Sequence, residues 1–195
     1  SKLSKEIKNE IIEEADKAKS HIFNLLGSGD VRVDYKLRAK GLERYRYDMR
    51  VSEKEYLSIK GKVQTELQKV FQRPIEYEPI DWQVDFKSGY RWSEKTYYKF
   101  IKYGHKLGAD IKLPWELSRA QHLLSLALAY RLTKKEEYAK EIIKQIVDWI
   151  LTNPYKFGVN WRCTMEVAIR VANWAVAISL IKDYIDNLSP TGKEH

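Results

Sequence analysis

Two clusters of polar residues open helices that are otherwise apolar, and they hold the side chains best suited to chemistry. The first is Pro-Trp-Glu-Leu-Ser-Arg-Ala-Gln-His at 114–122; the second is Gly-Val-Asn-Trp-Arg-Cys-Thr-Met-Glu-Val-Ala-Ile-Arg at 158–170. Glu116 and Arg119 stand three apart, and Arg162, Glu166, Arg170 and Asn173 follow at spacings of four, four and three. Such spacings line one face of a helix. A buried charge must be paired or must line a cavity. Arg119 and Arg170 have the planar fork that grips carboxylate or sulfate in two-point fashion, and they are equally suited to ion pairs with Glu116 and Glu166. His122 shares the face of Arg119, or is a hydrogen-bonded core residue beside a leucine-rich run. Asn160 and Trp161 precede a helix, where Asn is a good N-cap. Trp115 lies in the first cluster, while Trp82, Tyr90 and Trp92 lie in an aromatic stretch that could stack on sugar rings or pack against helix ends.

Other chemistries lack their signatures. His21, His105, His122 and His195 are scattered, and neither His-x-x-x-His nor Cys-x-x-Cys spacing occurs, so no metal site and no cofactor is expected. Gly27-Ser28-Gly29 lacks the Gly-Lys-Ser/Thr of a nucleotide loop. The single cysteine, Cys163, cannot form an internal disulfide and is expected to be a buried thiol.

The chain has 195 residues, 44% of them hydrophobic and 12% aromatic, enough for one sizeable core or part of a larger one. Lys and Arg number 35 against 27 Asp and Glu, a formal charge of +8 that favours an anionic partner without choosing among polysaccharide, nucleic acid and membrane headgroups. No apolar run long enough to span a membrane and no signal peptide is visible. Localisation stays open, since a removed export signal would leave the same sequence.

The elements that must position these residues are mostly helical. Residues 4–26 carry one apolar stripe (Ile7, Ile11, Ile12, Ala15, Ala18, Ile22, Leu25), which predicts a helix ended by Gly27-Ser28-Gly29. Residues 30–52 read as an irregular, basic, Tyr-rich arm, which could bind single-stranded nucleic acid or simply pack. A second helix is predicted over 53–71, with Tyr56, Ile59, Val63, Leu67 and Val70 buried and Pro74 beyond its end. Glu76 to Trp92 reads as an aromatic loop. Further helices are predicted at 94–105, 115–132, 135–151 and 161–185, with short connections that make neighbours antiparallel. Apolar helices (115–132, 161–185) would form an inner ring and the Lys/Glu-rich 135–151 an outer one. The polar starts of the inner helices would gather at one end, where helix N-termini favour anions.

Phe23-Asn24-Leu25-Leu26-Gly27-Ser28-Gly29, the Ile80-Asp81-Trp82-Gln83-Val84-Asp85-Phe86-Lys87-Ser88-Gly89-Tyr90-Arg91-Trp92 stretch, Leu113-Pro114-Trp115-Glu116-Leu117-Ser118-Arg119, and Val159-Asn160-Trp161 leading to Ala172-Asn173-Trp174 occur in this order. Together they resemble the N-terminal domain of the heparinase II/III family of polysaccharide lyases, from about residue 10 to residue 188. The resemblance implies an all-α fold: an incomplete (α/α) toroid of antiparallel helix pairs, followed by a β-sandwich domain in the full protein. Residues 1–195 would then be the toroid portion, with an N-terminal helix and arm over 1–52 and helical hairpins over 53–195.

The resemblance further implies β-elimination on a uronic-acid-containing polysaccharide such as a glycosaminoglycan or alginate. A base takes the proton beside the uronate carboxylate, whose charge is neutralised, and an acid, often Tyr, protonates the leaving oxygen. The Asn-His pair that neutralises that carboxylate in the family is missing here, so these residues read as part of a longer polypeptide, inactive alone. No catalytic residue is assigned. Tyr90, Trp92, Trp115, Glu116, Arg119, His122, Asn160, Trp161, Glu166 and Arg170 are the candidate substrate-binding residues. The expected partners are an acidic polysaccharide and the C-terminal part of the same polypeptide, without nucleic acid or membrane. Residence would be periplasmic or secreted if like the family. Two alternatives stand beside this reading: a non-catalytic anionic-glycan-binding module, and a basic helical-repeat scaffold for nucleic acid or protein.

Overall fold

The computed structural model describes residues 4–42 and 44–188; His195 lies outside them. The described chain is all-α apart from one two-residue hairpin. Helix α1 (Lys5–Lys19) starts where the Ser4 hydroxyl accepts from the Ile7 N–H at 3.3 Å. It ends at Ser20, short of the expected residue 26, because His21 takes a left-handed φ of 56°. The apolar stripe continues in register but belongs to a hairpin, β1 (Ile22–Phe23) with β2 (Val31–Arg32), pairing Ile22 with Arg32 and Phe23 with Val31. Gly27-Ser28-Gly29 is therefore part of the hairpin connection rather than a helix cap. There the Ser28 hydroxyl accepts from the Leu25 N–H at 3.1 Å and donates to the Gly29 carbonyl at 2.7 Å.

Helix α2 (Glu53–Phe71) has the expected bounds, with the Ser52 hydroxyl accepting from the Glu55 N–H and Tyr56, Val63, Leu67 and Phe71 buried. Val70, expected on this stripe, is 41% exposed; Phe71 takes its place. The predicted helix over 94–105 is absent apart from one 3₁₀ turn at Tyr98–Phe100. Its backbone instead pairs with a distant segment: Tyr98 N–H donates to the Lys156 carbonyl at 2.9 Å, and Gly158 N–H to the Thr96 carbonyl at 2.8 Å.

The expected helix 115–132 is two helices, α3 (Lys112–Ser118) and α4 (His122–Thr133), separated at Ala120 by a φ of 59°. Helix α5 (Glu136–Thr152) fits its prediction closely. The expected helix 161–185 is a 3₁₀ turn at Val159–Trp161, then α6 (Thr164–Leu180) and α7 (Lys182–Leu188), with a 72° bend between the two helices. Cys163 precedes α6 and is half-buried, not the buried thiol expected. No single described helix is long and apolar enough to cross a membrane.

Helix α4 sits at the centre, touching α1, α5 and α6, while α2 packs on α5. A large core gathers Ala15, Val63, Leu67, Leu126, Ala129, Tyr138 and Ile142. A second joins Phe23, Ile80, Trp82, Phe86, Leu117 and Trp149; a third joins Tyr90, Trp92, Ile101, Ile111 and Val159. The expected inner and outer roles are partly exchanged. Amphipathic α5 buries Glu141, Gln145 and Asp148, whereas apolar α6 leaves Met165, Val171 and Val176 exposed at 58, 58 and 49%.

Candidate functional site

The site is founded on a buried polar lattice that ties the aromatic loop to α5 and to the start of α6. One carboxylate oxygen of Asp148, on the inner face of α5, accepts from the Tyr77 hydroxyl (3.0 Å), the Ile80 N–H (2.8 Å) and the Trp82 indole N–H (3.2 Å). Its other oxygen has no partner among the described residues, and burial raises its pKa from 3.8 to about 7. From the same loop, the Gln83 amide donates to Asn153 and accepts from the Val159 N–H at 3.0 Å. Gly158 takes a φ of 82°, and a Cβ there would fall 2.8 Å from the Gln83 side chain, so only glycine admits this contact.

Asn160 completes the tie. Its amide donates to the Trp82 carbonyl and to Asn153 Oδ1, both at 2.8 Å. It is fully buried in the 3₁₀ turn and does not cap α6, whose N-cap is Cys163. Arg170 is 2% exposed; it donates to the carbonyls of Ser118 (2.7 Å) and Asn160 (3.1 Å), with its guanidinium 4.0 Å from the Trp149 ring centroid. Burial lowers its pKa to about 10 against the opposing charge of Glu166, so it remains a cation at neutral pH, bonded to backbone carbonyls and stacked on a π face.

Above this lattice lies a partly exposed surface. Arg119, at the end of α3, donates to both oxygens of Glu166 on α6 (2.6 and 2.9 Å) and also to Glu116. The hydrogen bond that Arg119 donates to Glu166 is the leading cause that raises the Arg119 pKa. Arg119 and Glu116 are each 21% exposed at their side chains, Glu166 only 1%. Asn173 donates to the Arg119 carbonyl at 2.8 Å, a second link between α3 and α6. The cluster therefore joins the C-terminal end of α3 to the first turn of α6, where Glu166 sits, and its two carboxylates outweigh its one guanidinium.

Half-buried Trp115 and Trp161 flank it. The Trp115 indole donates to the Val159 carbonyl at 2.9 Å, and that of Trp161 to the Asn153 carbonyl at 3.2 Å. Arg162 lies beside them with its guanidinium 5.4 Å from the Tyr103 ring, and Tyr103 in turn meets Trp115 edge-on at 6.3 Å. Arg162 Nε finds no partner among the described residues. Neither Arg162 nor Tyr103 is in the candidate set read from sequence. Arg162 had a signal in its spacing from Glu166; Tyr103 had none, because the segment carrying it reads as a helix.

The structure thus brings Trp115, Glu116, Arg119, Trp161 and Glu166 together, with Asn160 and Arg170 directly beneath. Of the other three candidates it sets His122 apart, and it buries Tyr90 and Trp92 in the third core, against which Trp115 packs. His122 faces the second core, its Nε2 2.8 Å from the Gln145 amide oxygen and its ring against Phe23 and Trp82, and burial lowers its pKa to about 4. Tyr90 and Trp92 pack edge to face at 4.8 Å inside the third core, with the Trp92 indole on the Lys102 carbonyl. Among the described residues no group of three or more His, Cys, Asp or Glu is gathered as metal binding requires. The exposed assembly offers what recognition of a polar, ring-shaped ligand needs: aromatic edges, a charge-paired carboxylate able to accept hydroxyl donors, and an incompletely paired guanidinium.

A family model described as the heparinase II/III N-terminus matches residues 8–185. A heparin-sulfate lyase of Bacteroides stercoris is 33% identical over 69 residues, which are 32% of this chain and 10% of that protein. The chain thus matches about a tenth of the length of this curated relative. No solved structure matches the chain.

Proposed function

The chain belongs to the heparinase II/III family of polysaccharide lyases as its N-terminal domain, and from that premise we propose that it forms the front part of an (α/α) toroid in a longer enzyme. That enzyme cleaves a uronic-acid-containing polysaccharide by β-elimination, and this domain supplies substrate-binding residues rather than the base and acid. The relative's name as a heparin-sulfate lyase and its much greater length support both parts of the reading. So does the bare side of α6, where Met165, Val171 and Val176 leave a helix apolar nearly all round, as expected of one built to be covered by further protein.

The observation that carries the substrate-binding role is the assembly of Trp115, Glu116, Arg119 and Trp161. Four partly exposed side chains from two elements converge over a buried, hydrogen-bonded lattice. In this arrangement the Trp rings meet the apolar faces of a sugar, Glu116 accepts from its hydroxyls, and Arg162 takes the negative group. Arg119 is committed to Glu116 and Glu166 and acts as a positioning residue that fixes Glu116. The rigid base matters because a binding side chain held in one rotamer loses little freedom when the ligand arrives.

The test follows ultraviolet absorbance of the unsaturated uronate when the intact protein is incubated with heparan sulfate, hyaluronan and alginate. Turnover of one polymer, with KM raised about tenfold by Trp115→Ala and kcat little changed, is the expected result, since the loss removes uniform binding. Absence of unsaturated product with all three, together with retained binding, would leave a glycan-binding module instead.

A further inference from the structure

We infer that two exposed tyrosines, Tyr103 and Tyr155, with the lysines around them, extend the Trp115–Trp161 surface into a longer track for an anionic polysaccharide, outside the residues that meet the sugar at the reaction centre. The inference rests on the lyase reading above and deepens it.

Large aromatic side chains exposed for no evident packing reason are clustered in one place. Phe100 is 74% exposed, Tyr155 69% and Tyr103 50%. They come from two segments that the fold holds side by side, through the Tyr98–Lys156 and Gly158–Thr96 backbone bonds and a bridge between Tyr97 and Phe157. Each tyrosine leans on a tryptophan of the candidate site: Tyr155 meets Trp161 edge-on at 5.2 Å, and Tyr103 meets Trp115 at 6.3 Å. The aromatic surface is therefore continuous from the site outward in two directions.

Charge decides what such a surface suits. Between Lys95 and Ala109 there are four lysines and no carboxylate. Lys95 pairs with Glu55 at 2.7 Å, while Lys99, Lys102 and Lys106 stand exposed beside the aromatic residues. On the other segment Lys156 lies 5.0 Å from the Tyr155 ring centroid, and Arg162 covers Tyr103. Ring faces interleaved with solvated cations fit a polymer whose sugar rings have apolar faces and whose every second or every residue bears carboxylate or sulfate. A packed neighbouring domain would leave these lysines to be desolvated without partners, which is costly. The chemistry thus favours an anionic glycan chain as the occupant.

The experiment measures binding of size-fractionated oligosaccharides, tetrasaccharide against dodecasaccharide, from heparin and from alginate, with neutral dextran fragments as control. The intact protein is compared with Tyr155→Ala and with Lys99→Ser/Lys102→Ser. Wild type is expected to bind the dodecasaccharide of one series about tenfold more tightly than its tetrasaccharide. The tyrosine variant should lose most of that advantage while keeping tetrasaccharide affinity, which also shows that it has folded. For the lysine variant, the slope of log affinity against log salt should fall by about one to two. If both variants keep the full length dependence, or lose short and long ligands alike, the track is wrong and the lyase reading stands. If wild type binds neither acidic series at any length, the acidic-polysaccharide reading itself fails.

Discussion

The lattice around Trp82, Asn160 and Arg170 and the surface around Trp115, Glu116 and Arg119 are neighbours, yet they solve opposite problems. In the lattice nearly every polar group is buried and answered by a backbone carbonyl or a side-chain amide: Arg170 by Ser118 and Asn160, Asn160 by Trp82 and Asn153. On the surface the polar groups are side-chain charges in mutual pairs with solvent access, and the aromatic rings keep part of their area free. The same residue types, Trp, Arg and Asn, serve both regions. What separates them is exposure: the lattice bonds are closed to water and fix the fold, while the partly exposed Glu116 and Arg119 can share their pairing with a ligand. Variants should divide along this line, with lattice changes seen first in stability and surface changes first in binding.

The largest effect expected is from Trp82→Ala. The side chain is 1% exposed and its indole N–H is held by Asp148. Truncation should lower unfolding free energy by ~3–5 kcal/mol in denaturant titration, whereas Trp161→Ala should fall well short of that. Equal losses would erase the distinction.

Next comes pH. Asp148 has its pKa raised by burial from 3.8 to about 7, and His122 has its pKa lowered by burial from 6.5 to about 4. Between those limits the folded chain binds the Asp148 proton and the unfolded chain does not, so the Asp148 contribution to stability falls as pH rises. The His122 proton is bound by the unfolded chain alone, so its contribution rises with pH. Over the shared window the two slopes offset each other. Asp148→Asn keeps an acceptor for Tyr77, Ile80 and Trp82 but removes the titration, so stability should then climb between pH 4 and 6.5 by up to ~3 kcal/mol. His122→Gln should leave the opposite slope, a fall toward pH 7 of up to ~4 kcal/mol. Melts across pH for both variants check the signs, and parallel profiles would show that neither group titrates as its surroundings require.

These buried groups also mark where the sequence stops being legible. Helices α2 and α5 could be read because their apolar spacing lies within a single element, and α2 has Ser52 to cap it. The all-α class and the family's motifs were readable for the same reason: each is local, or recurs in a fixed order. Residues 96–98 were misread because their partners lie about sixty positions away, at 156–158, and no local pattern records that pairing. The hairpin at 22–32 was hidden because a strand can continue a helical stripe for two residues. Glu141, Gln145 and Asp148 looked like the solvated side of an amphipathic helix, although their spacing of four and three sets all three on one face, and that face is buried. In the site, the short Glu116–Arg119 spacing was legible. The bonds from Asn160 to Trp82 and from Arg170 to Ser118 span 78 and 52 positions and were not.

Asn160 tests the lattice at a single amide. Asn160→Ala takes the donor from the Trp82 carbonyl, while Asn153 Oδ1 keeps its bond from Gln83. One buried acceptor left unmet should lower stability by ~1–3 kcal/mol. Asn160→Asp would supply no amide donor and should do no better; recovery by the acid would mean that the carbonyl contact is not what matters.

The smallest stability effect, and the sharpest for the comparison, is expected at Arg119. Lysine there cannot span both oxygens of Glu166 and still reach Glu116, so the two-point geometry is lost while one charge pair survives. Water takes up the freed positions at Arg119 and Glu116, each 21% exposed, whereas Glu166, 1% exposed, is left one donor short, so the loss should be small, about 1 kcal/mol. The Asn173 bond to the Arg119 carbonyl does not depend on the side chain and keeps α3 on α6. Glu116, however, would lose its fixed rotamer, so KM for the acidic polymer should rise several-fold at nearly unchanged melting temperature. A fall in melting temperature as large as that of Asn160→Ala, with KM unmoved, would place Arg119 with the lattice and leave the surface without its positioning residue.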